Sequence, residues 1–182
     1  MILNTICFKC TQYLISQKGE VAMQKKTCCV TGHRNIPDAQ RPYVESELRR
    51  EVCQAIQDGY TRFISGFAAG ADLIFADIVA EQKKLHPEIS LEAALPHAAR
   101  VNTHDARFHE LLSMCDAVKV ECEKYAPYCF DRRNRYMVRQ SQRVIAVFDG
   151  RRTGGTALTL RYAQKLDREI RMVHIRADSA GG

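Results

Sequence analysis

From Lys25 onward, short β-favouring runs alternate with stretches patterned as helices, and no other feature constrains the fold as much. The runs are KTCCVTG (26–32), YTRFISG (60–66), ISLEAALP (89–96), DAVKVE (116–121), RVIAVFDG (143–150) and IRMVHI (170–175). Between the first two, Pro42 suits the opening turn of a helix, Val44, Leu48, Val52 and Ile56 recur every four residues, and Gly59 ends the pattern. Residues 71–85 are apolar around most of a helical circumference, which predicts a deeply buried helix. Further helices are expected over 105–114, 132–141 and 156–166.

Strands separated by helices require right-handed crossovers, which cover both faces of a parallel sheet. The expected fold is therefore α/β: a Rossmann-like, doubly wound, mostly parallel sheet with helices on both faces. No linker rich in Pro, Gly or Ser interrupts residues 23–182, so they read as one domain.

Residues 1–22 stand outside this pattern. They have no basic start, long apolar stretch or small-residue cleavage site, which argues against a signal peptide. Lys18-Gly19-Glu20 can be encoded by a purine-rich stretch like a bacterial ribosome-binding site, just ahead of Met23. The segment thus reads as a mis-assigned leader, with Met23 as the true start. A bacterial, cytoplasmic protein is expected, its eight cysteines reduced. Cys7-x-x-Cys10 is half a zinc pattern without a second half. Neighbouring Cys28 and Cys29 point to opposite faces of a strand, and His104 and His109 do not share a helical face. No metal site is expected. No apolar run approaches the ~20 residues that span a bilayer, so no membrane partner is expected either.

The net charge of +6 suits an anionic ligand. Ligands of doubly wound folds sit beyond the carboxyl ends of the strands. Those ends carry Thr31-Gly32-His33-Arg34, SGFAAGAD (65–72), YAPYCFDRRNRYM (125–137) and FDGRRTGGT (148–156). Glycine lets backbone amides approach a ligand closely, and a helix N-terminus supplies amides with the positive end of the dipole. Gly154, Gly155 and Thr156 open a helix in this way and are expected to cradle phosphate. Seven arginines lie between residues 132 and 152, and a guanidinium grips phosphate bidentately.

These segments together resemble the YpsA family of the SLOG superfamily, which groups Smf/DprA proteins with LOG nucleotide hydrolases. The matching pieces are TGHR (31–34), FISGFAAGAD (63–72), RNRYMV (133–138) and RVIAVFDGRRTGGTALTLRYA (143–163), in family order. The resemblance implies a Rossmann-like domain that binds a nucleotide or nucleotide-derived ligand and needs no further cofactor. Carried over residue by residue, it nominates Gly32, His33, Arg34, Ser65, Gly66, Gly70, Asp72, Asn134, Arg135, Asp149, Gly154, Gly155 and Thr156 as ligand-binding. Two departures bear on the base end of the ligand more than on its phosphate end. Arg139 stands where the family usually has aspartate, and the chain has no tryptophan.

LOG enzymes cleave the N-glycosidic bond of nucleoside monophosphates with a glutamate, whose position here falls on Thr159. A threonine hydroxyl cannot act as that base at neutral pH. This weighs against catalysis, with Asp72 and Asp149 as the candidate replacements. The expectation is a binding module for a small nucleotide-type ligand, with a nucleotide hydrolase as the alternative. A third reading is a DprA-like single-stranded nucleic-acid binder or cell-division partner, with Tyr125, Tyr128 and Phe130 stacking on bases. Exposed helix faces would support a homodimer.

Overall fold

A computed structural model describes residues 25–176. The proposed leader, Met23 as a start and the Cys7–Cys10 pair lie outside the described residues. The described chain forms β1 (Lys26–Gly32), α1 (Arg41–Gln57), β2 (Tyr60–Ser65), α2 (Ala71–Gln82), β3 (Ser90–Leu95) and α3 (Ala106–Ser113). It continues through β4 (Ala117–Val120), α4 (Cys129–Gln140), β5 (Arg143–Phe148), α5 (Gly155–Lys165) and β6 (Glu169–His174).

All neighbouring strands pair in parallel, in the order β4-β3-β2-β1-β5-β6. The chain winds outward from β1 to β4, then crosses back to lay β5 on the other side of β1. The strand order therefore reverses between β1 and β5, and the loops after these two strands diverge there to leave a crevice.

The side-chain period of two divides the core between the faces of the sheet. Cys28, Phe63, Leu91 and Ile145 belong to one cluster, with Val44 and Leu48 of α1, Phe75 and Val79 of α2, and Phe108 of α3. Cys29, Ile64, Ala94 and Val144 belong to another, with Met137 and Val138 of α4 and Ala163 of α5. Each large apolar side chain buried here contributes about 1.5–3 kcal/mol. Helix α2 is buried on most sides, as its composition predicts. Strand β4 is a short edge whose residues are all exposed, and Lys119 sits in its middle.

Helix α4 begins earlier than its charged run indicates. Cys129 is fully buried and its amide bonds to the carbonyl of Ala126 at 3.0 Å, so burial outweighs the weak helix preference of the Cys-Phe pair.

Burial also silences the strand cysteines. It pushes the Cys29 thiol up to about 12 and raises that of Cys28 as well. Only the thiolate alkylates at a useful rate. Iodoacetamide at pH 8 is expected to label the partly exposed Cys53 and leave Cys28 and Cys29 unmodified until denaturant is added. Peptide mass mapping checks this, and rapid native labelling of Cys29 would contradict the burial.

Candidate functional site

The loop after β1 meets the start of α2 through close backbone contacts. A Cβ on Gly32 would lie 2.5 Å from the Cβ of Ala71 and 2.9 Å from that of Val147, so only glycine lets the two elements approach there. The Ala71 amide donates to the carbonyl of His33 at 3.1 Å. Gly70, at φ +74°, makes the turn that allows it.

Asp72 follows in the first turn of α2 and is buried. Its Oδ2 accepts hydrogen bonds from the Ala68 amide at 3.3 Å and from Nη1 of Arg133 at 3.2 Å. Arg133 comes from α4 and is itself only 5% exposed. Burial raises the carboxyl's pKa and lowers the guanidinium's, and each partner's charge offsets part of that penalty for the other. The Nε of Arg133 finds no acceptor among the described residues.

Beyond β5, the turn is built around Asp149. His33 Nε2 lies 3.0 Å from its Oδ1, and the His33 ring stacks on Phe148 at 5.7 Å. Arg151 donates to the same carboxylate from its amide at 3.1 Å and from Nε at 2.8 Å. The hydrogen bonds from Arg151 hold the Asp149 carboxyl well below the usual carboxylate range. A carboxyl with a lowered folded pKa stabilises the fold above its unfolded pKa and loses that contribution as pH falls through the folded value. Asp149→Asn is therefore expected to lower the melting temperature most near neutrality. The gap to wild type should begin to narrow below about pH 4 and go on narrowing toward the lower folded value. A gap that persists unchanged at pH 3 would mean that the charge of Asp149 contributes nothing.

The chain then passes Gly154, at φ +101°, into α5. No side chain caps this helix, and its first turn holds no acidic residue. Its leading amides carry the positive end of the helix dipole without an internal partner. A Cβ on Gly154 or Gly155 would meet nothing within 4 Å, so both glycines face open space.

These loops enclose a cleft of about 270 Å³ at the reversal point of the sheet. Of the nominated residues, Gly32, His33, Arg34, Asp72, Asn134, Gly154, Gly155 and Thr156 line it. Five others do not. Ser65 is fully buried, with Oγ donating to the Asp72 carbonyl at 2.8 Å, and it braces the loop from beneath. Gly66 borders a neighbouring hollow and Gly70 a groove beside α1. Asp149 lies under His33 with its side chain 2% exposed. Arg135 turns to solvent, pairs with Asp131 at 2.7 Å and lies over the ring of Tyr162.

Arg133, Thr159, Phe130 and Arg151 also line the cleft and were not nominated. Helical spacing carries the missing signal for α4. Phe130, Arg133, Asn134 and Met137 recur at three- and four-residue intervals and share the face toward the sheet, whereas Arg135 falls opposite. Thr159, where a LOG glutamate would stand, donates from Oγ1 to the Gly155 carbonyl at 2.8 Å and accepts from Nδ2 of Asn134 at 3.0 Å. The histidine pair lies at the surface, with His109 Nε2 bonded to the Thr103 carbonyl at 2.7 Å. No cluster of three or more metal-ligating side chains occurs among the described residues. None of the described helices is long and apolar enough to cross a membrane.

A parallel α/β sheet, a crevice at its reversal point and a Gly-Gly helix start bordering that crevice define a Rossmann-like domain. Residues 28–179 match the YspA SLOG family, YpsA, and the chain belongs to that family. It is 32% identical to the uncharacterised SPβ prophage-derived protein YoqJ of Bacillus subtilis over 120 residues, 57% of this chain and 70% of that protein. Among solved structures it resembles the DNA processing protein A of Streptococcus pneumoniae, with a TM-score of 0.63 and 16% identity. That match covers 85% of this chain but 52% of the pneumococcal one, so the chain spans about half of that neighbour. The Helicobacter pylori DNA processing protein A, described for its single-stranded DNA binding mode, follows at a TM-score of 0.62 and 18% identity, covering 85% and 68% of the two chains. At such identities the likeness shows the shared fold.

Proposed function

We propose that the protein binds a nucleotide or nucleotide-derived small molecule in the β1/β5 cleft and releases it uncut. The carrying observation is the uncapped start of α5. It opens through two glycines with free space around them, onto a cleft whose other walls present Arg34 and Arg133. A phosphate there receives backbone amides, the helix dipole and guanidinium charge together. The resemblance of its motifs to the SLOG superfamily, which includes LOG nucleotide hydrolases, supports this reading. Binding without cleavage is supported by the state of the two candidate carboxylates. Asp72 is paired with Arg133, and Asp149 accepts hydrogen bonds from the amide and the guanidinium of Arg151. Neither is poised to activate water, and the hydroxyl of Thr159 already holds two hydrogen bonds.

A thermal-shift panel of nucleoside monophosphates, NAD, ADP-ribose and cyclic dinucleotides tests this, with the supernatants assayed for free base. A ligand at ~100 times its Kd adds about 2.7 kcal/mol, a shift of several degrees for a domain of this size. Gly155→Val puts bulk at the phosphate position, where an added Cβ meets nothing within 4 Å, and is expected to weaken binding about tenfold or more while keeping the fold. Free base in the supernatant would establish the hydrolase instead. A response only to single-stranded DNA, falling steeply with salt, would replace the small ligand by nucleic acid. Equal affinity in wild type and Gly155→Val would remove α5 as the phosphate site.

A further inference from the structure

The main cleft does not end at Arg133. On the far side of this side chain lies a second hollow of about 170 Å³, which shares Arg34, Ala68, Phe130 and Arg133 with the first. Its outer wall carries Arg100, from the short turn after β3, and its lining holds three arginines and no carboxylate. Resting on the nucleotide reading above, we propose that this hollow is a second anion subsite, which takes the 3′-phosphate side of a nucleotide whose 5′-phosphate sits on α5. The ligand class is thus a nucleotide with phosphates on both sides of its ribose.

Three independent features support this. First, Arg34 and Arg100 make no ion pair among the described residues. Each lies on an aromatic face instead: Arg34 on Phe130 at 5.3 Å and Arg100 on Phe108 at 4.9 Å. Both of their charges act against the charge on Arg133. Three neighbouring guanidinium groups answered by the single carboxylate of Asp72 leave a positive excess that an anion neutralises. Second, Arg133 is 5% exposed and its Nε lacks an acceptor. A buried donor without a partner leaves the guanidinium incompletely answered, which adds to the pull on an anion at the wall between the hollows. Third, Gly66 borders the second hollow, and a Cβ there would collide with the Arg133 guanidinium. The sequence keeps that position empty so that the guanidinium can stand between the two spaces.

Isothermal titration with AMP, ADP and adenosine 3′,5′-bisphosphate, and with the matching guanosine series, tests the proposal on wild type, Arg100→Gln and Arg100→Lys. ADP is the control for added charge without a second position. Charge-assisted contacts to a second phosphate are expected to make the bisphosphate bind about tenfold or more tighter than both AMP and ADP. Arg100→Gln should erase that gain, leave monophosphate affinity within about twofold, and be partly rescued by Arg100→Lys. The glutamine retains a stem over Phe108, and an unchanged melting temperature confirms the fold. A bisphosphate no tighter than ADP, or an Arg100→Gln variant that weakens the monophosphate equally, overturns the second subsite alone. If no nucleotide of either series binds, this subsite fails, and the nucleotide reading itself falls only if the wider panel above is silent as well.

Discussion

Replacing Arg133 with methionine is expected to destabilise the protein by about 3–5 kcal/mol and to abolish ligand binding. Methionine fills much of the same volume, so the loss comes from charge rather than from a cavity. Asp72 stays buried, at 6% exposure, without its counter-ion. For a chain of this size the melting temperature should fall by about 6–20 °C. The variant also makes a pH-dependent prediction. Burial already raises the Asp72 carboxyl, and removing Arg133 takes away the largest influence that lowers it. Its folded pKa then lies further above the unfolded value, so ionisation at neutral pH penalises the fold. That penalty fades as pH drops through the folded pKa and is gone below about 3.9. The gap between wild type and Arg133→Met should therefore narrow as melts are run from pH 7.5 down to 4.5. The double variant Asp72→Asn/Arg133→Met should lose clearly less than the sum of the single ones. A pH-independent gap and additive losses would mean that the two residues are not coupled.

Gly70→Ala is the second large effect. Gly70 sits at φ +74° and ψ −125°, a region that side chains with a Cβ rarely enter. Strain of that kind costs about 1–3 kcal/mol. The added Cβ would also run into the carbonyl oxygens of His33 and Arg34, which are backbone atoms that no rotamer change can move aside. Relief requires separating the two loops and breaking the 3.1 Å bond from Ala71 to His33, which adds about 1 kcal/mol. Gly59→Ala supplies the comparison, because Gly59 has φ +84° but nothing within 4 Å of its Cβ position. Gly59→Ala should cost only backbone strain, whereas Gly70→Ala should cost more and weaken ligand binding as Arg34 moves. Chemical denaturation of the two variants checks this, and equal losses would show that the close approach of the loops is unimportant.

Helix α4 shows where reading the chain succeeds and where it stops. Its existence follows from the run of helix-favouring charged residues. Its start does not, because Cys129 enters the helix for the sake of burial. The choice of Arg133 over Arg135 needs the phase of the helix against the sheet, which Met137 and Val138 set by packing under Ile64 and Val144. Ser65 is a similar case. Its small polar side chain beside glycines suits a ligand loop, yet its hydroxyl serves the Asp72 carbonyl and the Phe67 amide.

The sequence by itself determined the parallel α/β class and the edge of the sheet on which the cleft lies. It also determined the glycine-opened start of α5, with Thr159 in its second turn. These are local properties: periodicity of two or 3.6, glycine at turns, a residue type at a motif position. Only the tertiary structure decided how the charges are used. Asp72 meets Arg133 across 61 residues of chain, and Asp149 meets His33 across 116. Pairing of that kind depends on which loops the sheet order brings together at the β1/β5 reversal. It settles which carboxylates are already committed and which arginines face the cleft. Burial and distance between residues far apart in the chain govern that outcome, and neither is encoded in any short stretch.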